Sequence, residues 1–493
     1  MRSDTNLHVR YAAILSYAGM VFVIGGVIIV TPLLALLAWP GEYIHSTGFI
    51  FPAGTMGGLG ALMWWLFRPS RPVSLTIQEG GTIVFLTWVA ICLFSAWPFM
   101  AIMRFTFTQA VFESVSGWSG TGLTVSDVTV TPHVVLLWRS ITQYAGGAGL
   151  AIIMLATIAG PVGVGLPAAE GRTDQLAPHV RDSARIVLTL YAGYAVFGII
   201  ALRVAGMTSF EAINHAFTAL GTGGYSTRPD SIAGFNSFPI EFFCVVLMLL
   251  GNTNFLTAYL LLQGKVKTFF HNCEVRTAFV MVALFGFILF AIACRDLYPA
   301  WTKTLRVAFF EPISALTGTG LQTTTYHNWN GLGLLALIIP MIVGGGTGST
   351  SGAIKQYRAY LMFYSVLWEL RRPLLPKKAV VENYVWYGTG KVFMNDTRIR
   401  EAADYVLLYL ITLALGTAII AAHGHEVGKA LFEYASAQGT VGLSVGITQP
   451  NAPLPVLWTL IAGMFLGRLE FYVIFRSVAK IALDGRRMLF ARG

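Results

Sequence analysis

Four short stretches carry the oxygen atoms on which any chemistry of this chain must rest: SGTGLT at 119–124, GTGGYS at 221–226, TGTGLQ at 317–322 and GTVGLS at 439–444. Aligned on Gly122, Gly224, Gly320 and Gly442, they also agree upstream. Ser116, Thr218, Ser314 and Ser436 stand six residues earlier, and Gly117, Ala219, Ala315 and Ala437 stand five earlier. Nine earlier come Glu113, Glu311 and Glu433, with His215 as the exception. One glycine turn after a helix is commonplace. Four in a common register, about a hundred residues apart, form an internal repeat.

Backbone carbonyls together with threonine or serine hydroxyls are the groups that replace the hydration shell of an alkali cation. Glycine permits the dihedrals that turn successive carbonyls to one side. The short helix expected before each loop points a C-terminus, worth about half a negative charge, at the same place. None of the four hexapeptides holds a carboxylate, which argues against a ring built for divalent ions. The pattern predicts a monovalent-cation filter made by Gly120, Thr121 and Gly122, by Thr222, Gly223 and Gly224, by Gly318, Thr319 and Gly320, and by Thr440, Val441 and Gly442.

Composition says where such loops sit. Of 493 residues, 55% are hydrophobic and 11% charged, against about 25% charged in soluble proteins. With a mean hydropathy of +0.66, this is an integral membrane protein. Irregular backbone at membrane depth must be buried in protein or line a wet cavity, so the four loops are expected to face one another around an axis. The net charge of +10 comes from basic residues dispersed among apolar spans, which fits a membrane surface and not nucleic acid. Cys92, Cys244, Cys273 and Cys294 have no metal-ligand spacing and read as packing residues.

The elements that must hold the loops follow one grammar: an apolar span, a helix too short to cross, the loop, and a second span. An N-terminal hairpin (1–75) precedes units at 76–180, 181–270, 271–385 and 386–493, giving an all-α membrane protein with ten expected crossings. The second spans are expected at 132–159, 238–262, 331–370 and 454–483. Segments assigned inside carry Arg68, Arg71, Arg172, Arg181, Arg185, Lys265, Lys267, Arg276 and the cluster Arg371, Arg372, Lys377, Lys378, Lys391, Arg398 and Arg400, with Arg486, Arg487 and Arg492 at the end. Those assigned outside carry only Arg104, Arg203, Arg228, Arg295, Lys303, Arg306 and Lys429. By the positive-inside rule both termini are cytoplasmic and the loops open outward.

Two features lie below the loops. The second span of the third unit is interrupted by Gly344, Gly345, Gly346, Gly348 and Gly352, interleaved with Thr347, Ser349, Thr350 and Ser351. At roughly 1 kcal/mol per glycine relative to alanine, a continuous helix is disfavoured; an unwound, movable segment beneath the filter is expected, with close small-residue helix packing as the alternative. Arg468 stands in the last apolar span, where a guanidinium must face the interior. It either pairs with Glu470 or with helix C-terminal carbonyls, or places its charge in the ion path. The glutamates and Arg139 are expected to anchor the short helices, His215 to be a packing histidine, and Trp118 and Tyr225 to brace the loops.

The motifs ESVSGWSGTGLT, HAFTALGTGGYST, SALTGTGLQTT and AQGTVGLS, with WRSITQYAGGAGL at 138–150, GGGTGSTSGAIK at 344–355 and GRLE at 467–470, resemble the Trk, Ktr and HKT superfamily of potassium transporters. Within it, the chain resembles the bacterial Trk-type membrane subunit over essentially its whole length. The fourth loop is similar to the Ktr version, the N-terminal hairpin to Trk. The resemblance implies K+ as the substrate ion, a gate formed by 344–352 with Lys355 and Arg468, and residence in the bacterial inner membrane. It also implies a homodimer and a cytosolic nucleotide-binding ring (TrkA-like, binding NAD or ATP/ADP), for which 371–400 is the expected docking surface. In that family a serine at the first filter glycine goes with sodium permeation; here that residue is Gly122. No phosphate-binding loop, carboxylate pair or metal cluster suggests an enzyme or a cofactor. The rival readings are a Na+- or H+-coupled secondary transporter, whose repeats would be inverted, and a Na+-permeable relative.

Overall fold

The computed structural model describes residues 4–69, 75–149, 180–294, 297–298, 300–327, 329–376, 383–388 and 390–490. Within them the protein is helical throughout, apart from one small hairpin. Three helices, α1 (Asp4–Val30), α2 (Thr47–Phe67) and α3 (Ile77–Met103), precede α4 (Phe107–Ser119) and α5 (His133–Gly147). Next come α6 (Val180–Val204), α7 (Ser209–Leu220) and α8 (Phe238–Asn252), with α9 (Phe255–Leu262), α10 (Val266–His271) and α11 (Cys273–Ile288). The C-terminal part holds α12 (Trp301–Thr317), α13 (Gly331–Val343), α14 (Gln356–Arg371), β1 (Tyr384–Tyr387), β2 (Gly390–Phe393), α15 (Asp396–Ala422), α16 (Val427–Gln438), α17 (Leu454–Leu469) and α18 (Phe471–Phe490).

Local sequence sets where these helices start. Thr76, Thr106 and Thr208 each accept from the backbone N–H three residues on, while Glu79, Gln109 and Glu211 reach back to the capping threonine. These reciprocal capping boxes fix the N-termini of α3, α4 and α7. The α1–α2 hairpin packs backbone on backbone: a methyl group added at Gly19 or Gly60 would lie 2.6 Å from the other's carbonyl oxygen. The same close approach seats the short helices. Methyl groups on Gly146, Gly251 and Gly467 would lie 1.9, 2.6 and 1.8 Å from the carbonyl oxygens of Trp118, Leu220 and Gln438, at the ends of α4, α7 and α16.

Six helices among the described residues are long and apolar enough to cross a membrane, or up to eight if each of two bent pairs is one span. Of the ten expected crossings, two stand apart from that set. The span expected at 132–159 begins as α5, and residues 150–159 lie outside the described ones. The span expected at 331–370 is divided into α13 and α14 by the glycine-rich segment. Arg71, Arg172, Arg295, Lys377, Lys378 and Arg492 also lie outside the described residues.

Two spans expected to be continuous are bent. The chain turns by 113° between α8 and α9 and by 98° between α17 and α18. At the first bend Thr253 is extended and the Asn254 side chain caps α9 by accepting from Leu256 N at 2.8 Å. At the second, Glu470 adopts φ +57, and its carboxylate receives Arg358 Nη2 at 2.8 Å. An ion pair and a side-chain cap thus take over where the helical hydrogen bonds stop. The short antiparallel hairpin pairs Tyr384 with Phe393 and Val385 with Val392. Buried Val385 packs with Cys273, Leu361 and Ala402.

Candidate functional site

The four glycine-rich loops leave their helices at one register position. Gly120, Thr222, Gly318 and Thr440 have φ values of +69, +49, +69 and +54. Two residues on, Gly122, Gly224, Gly320 and Gly442 are again left-handed, at +93, +74, +74 and +98. Between them, Thr121, Gly223, Thr319 and Val441 donate their amides to Ser116 O, Thr218 O, Ser314 O and Ser436 O at 2.8–3.0 Å. Alternating left-handed residues along a strand turn its carbonyls to one side. Thr222 and Thr440 hold this conformation without being glycine, at a cost of roughly 1–2 kcal/mol each. Such strain is retained where function requires it.

The loops touch in a closed cycle. A methyl group on Gly122 would lie 2.0 Å from Gly223 O, one on Gly224 2.2 Å from Thr319 O, one on Gly320 1.9 Å from Val441 O, and one on Gly442 2.1 Å from Thr121 O. Each loop therefore lays one carbonyl against the glycine of the loop before it, and the first lays its own against the fourth. Above this ring, a cavity of about 290 Å³ is lined by Gly122, Gly224, Gly320 and Gly442 together, with Thr124 and Ser444.

Behind the ring, the residue nine positions before each glycine ties down the outgoing strand. Glu113 accepts from Thr124 Oγ1, Val125 N and Ser126 N at 2.5, 2.6 and 3.1 Å. Glu311 accepts from Thr323 N at 2.8 Å and Tyr326 Oη at 2.5 Å. Glu433 accepts from Val445 N at 3.0 Å and Thr448 N at 2.9 Å. His215 stands in the same place, donating Nδ1–H to Glu211 O at 2.8 Å and holding Nε2 3.0 Å from Ser226 Oγ. All four side chains are buried, and every one is engaged with its own loop. Truncating one of the three glutamates strands buried amides, at roughly 1–3 kcal/mol per donor. Glu433→Ala is therefore expected to lower the thermal unfolding midpoint in detergent clearly, and Glu433→Gln, which keeps an acceptor oxygen, to lower it less; an unchanged midpoint in both would remove the anchoring role.

Further braces join neighbouring loops. Tyr225 Oη donates to Glu113 O at 3.0 Å, and the Arg139 guanidinium lies 3.9 Å from the Tyr225 ring centroid. Arg139 also reaches Thr124 Oγ1 at 2.8 Å. Trp118 Nε1 donates to Ser95 Oγ at 2.8 Å. Gln143, which the sequence did not single out, donates to Gly223 O and accepts from Tyr225 N at 3.1 Å. Its signal would have been its place on the polar stripe that α5 shows with Arg139, Ser140 and Thr142.

The glycine-rich segment presses against the ring from one side. A methyl group on Gly318 would lie 2.7 Å from Ser351 Oγ, and one on Gly352 2.3 Å from Thr440 Oγ1. Gly344 (φ +69) and Gly348 (φ +70) shape it, and Lys355, buried and at φ +82, donates Nζ to Ser351 O. Gly345 N reaches Ser351 Oγ at 3.1 Å, Gly346 N reaches Asn252 O at 3.2 Å, and Ser349 Oγ reaches Gly346 O at 2.6 Å. Thr347 N donates to Glu274 Oε1 at 2.7 Å. Thr350 donates its hydroxyl to Leu220 O at 3.0 Å and Gly251 O at 2.9 Å. Asn252 and Asn254 escaped the sequence reading because they act from the second unit, and Glu274 because it stands some seventy residues before the segment.

Arg468 closes this arrangement. Its Nη1 donates to Thr350 O at 2.7 Å, and its Nη2 to Gly146 O and Gly147 O at 2.7 and 2.6 Å. It thus binds the segment and the last carbonyls of α5 at once. Glu470, two residues away, instead receives Arg358.

Comparisons with known proteins are in keeping with this geometry. Residues 56–482 match the TrkH family, described as a cation transport protein. The chain is 26% identical over 479 residues to an uncharacterized cation transporter of Methanocaldococcus jannaschii, covering 96% of this chain and 97% of that one. It is 28% identical over 484 residues to the Trk system potassium uptake protein TrkH of Escherichia coli K12, covering 94% and 98%. Among solved structures, the crystal structure of the potassium transporter TrkH from Vibrio parahaemolyticus superposes with a TM-score of 0.81 at 24% identity, over 94% of this chain and 98% of that one.

Proposed function

Because the chain belongs to the TrkH family of cation transport proteins, we propose that it takes up potassium by passive, channel-like permeation through the ring of four loops. The protein is an ion transporter in a lipid bilayer and not an enzyme. The observation that carries the reading is the closed cycle of contacts from Gly122 to Gly223, Gly224 to Thr319, Gly320 to Val441 and Gly442 to Thr121. Such a cycle surrounds one axis with oxygens from residues 120–122, 222–224, 318–320 and 440–442, the groups that replace the water of a bare alkali ion. Four units in one orientation around a single axis favour a pore over alternating access, which inverted repeats serve.

Residues 344–352, with Lys355, form the gate on this reading, and Arg468 is the latch that holds it under the ring. Glycine at all four filter positions favours potassium over sodium. The protein resides in the bacterial inner membrane with both termini in the cytoplasm, as a homodimer. A cytosolic nucleotide-binding ring docks on the basic surface around 371–400, where Arg371, Arg372, Lys391, Arg398 and Arg400 are exposed. The names of the relatives support potassium as the ion. The test is growth and ion uptake in a host that requires external potassium. Expression should restore growth at low potassium, and excess rubidium should compete with potassium uptake more strongly than excess sodium does; equal competition by sodium would refute potassium selectivity.

A further inference from the structure

The cavity above the ring is lined by three charged side chains, Asp127, Arg139 and Arg228, and their charges do not cancel. Both arginines are matched by carboxylates. Arg139 is 1% exposed, with its Nε 3.4 Å from Glu113 Oε2. Arg228 gives Nε and Nη2 to Glu211 Oε1 at 2.9 and 2.7 Å, and Nη1 to Gly234 O at 2.9 Å. Asp127 has no such match. It is exposed, and its Oδ1 accepts from Thr129 N at 2.9 Å and Thr129 Oγ1 at 2.6 Å, both neutral donors. No basic side chain of a described residue lies within 4.0 Å of its carboxylate.

The turn that carries Asp127 is fastened. Thr131 Oγ1 donates to Asp127 O at 2.6 Å, so the carboxylate stays at the mouth of the cavity. The two bonds from Thr129 hold it below the usual carboxylate range, which keeps it ionised at neutral pH. The remaining carboxylates of the ring, Glu311 and Glu433, are buried behind it and turned onto the amides of their own loops.

We propose that Asp127 is the cation-collecting residue of the pore mouth: its unmatched charge concentrates hydrated monovalent cations above Gly122, Gly224, Gly320 and Gly442 and so speeds their entry into the ring. A cleft whose lining carries one sign of charge raises the local concentration of the opposite sign. The ion keeps its water here, because dehydration waits for the oxygens of the ring. One charge acting through water senses the sign of an ion and not its species. Asp127 therefore sets the rate of entry, and the preference for potassium stays with the glycine loops. This role rests on reading the ring as the permeation path.

The experiment measures tracer rubidium influx into liposomes holding the full-length protein, at rubidium well below saturation, with ionic strength set by N-methylglucamine chloride. The screening length falls from about 30 Å at 0.01 M to about 3 Å at 1 M. At the lower value, Asp127→Asn, which keeps the oxygen facing Thr129, should reduce influx roughly twofold, the effect of one elementary charge about 10 Å away through water. Asp127→Lys changes the charge by two and should reduce it about fourfold. Asp127→Glu should stay near the wild type. In Asp127→Asn the apparent KM for rubidium should rise more than the saturating rate falls, and the rubidium-to-sodium ratio should hold. Glu426→Gln is the control, since it removes an exposed carboxylate that pairs with Lys429 at 3.6 Å and does not line the cavity. At 1 M all variants should converge on the wild type. Equal influx at 0.01 M overturns the proposal, and so does a deficit that persists at 1 M, which marks a structural role. Failure of the ring itself shows separately, as a wild type without rubidium influx or a Gly320→Ala protein that keeps the wild-type ion ratio.

Discussion

Gly320→Ala is expected to abolish most of the preference for potassium over sodium. The added Cβ would stand 1.9 Å from Val441 O, so one of the two must retreat by more than an ångström to reach ordinary contact. The residue also holds φ +74, where a side chain costs roughly 1–2 kcal/mol. Both effects act on the carbonyl that the fourth loop lays against the third. A loss of about 1.4 kcal/mol in relative ion binding is a tenfold fall in selectivity, and the potassium-to-sodium uptake ratio should fall by roughly that much or more. Gly122→Ser is expected to act in the same direction, through Gly223 O at 2.0 Å. Gly58→Ala supplies the control, because a methyl group there meets nothing within 4 Å. Should Gly320→Ala and Gly122→Ser both keep the wild-type ratio while transporting normally, the loops are not the selective element.

Arg468→Gln is expected to raise basal potassium flux. The guanidinium makes one bond to Thr350 O and two to the end of α5, all at 2.6–2.7 Å. Hydrogen bonds to a charged group contribute about 1.5–3 kcal/mol each, so losing even the bond to Thr350 shifts the closed-to-open balance roughly tenfold or more. Thr350→Val, which removes the hydroxyl bonds to Leu220 O and Gly251 O, should raise flux by a smaller factor, since those bonds are between neutral groups. Flux through liposomes without any cytosolic partner measures this directly. A fall in flux in a protein that elutes as a monodisperse species would reverse the assigned role of Arg468, making it an aid to permeation.

The four loops were legible in the sequence because each repeats the same spacing of glycine, hydroxyl residue and buried anchor. Even the exception was informative: His215 meets the Ser226 hydroxyl as Glu113 meets that of Thr124, so an imidazole does a carboxylate's work. The interruption at 344–352 was legible from its glycine content. The bends at Thr253 and Glu470 were not: Asn252, Thr253 and Asn254 interrupt one apolar run and Arg468 and Glu470 the other, but the partners that receive these groups come from elsewhere in the chain. Glu470 takes a left-handed conformation that no compositional signal announces, and its partner is Arg358. Arg468 showed the same limit. The sequence offered Glu470 or the carbonyls at a helix C-terminus, and the guanidinium meets the carbonyls at the end of α5, with that of Thr350; which helix supplies them only the assembled fold decides. Asn252, Asn254 and Glu274 likewise hold the segment from distant parts of the chain.

The most direct measurement is crystallographic location of a heavy potassium analogue. Crystals grown with thallium(I) should show anomalous density on the axis enclosed by residues 120–122, 222–224, 318–320 and 440–442, and sodium in excess should not displace it. Thallium bound elsewhere, with that axis empty, would contradict the proposal that these loops hold the ion.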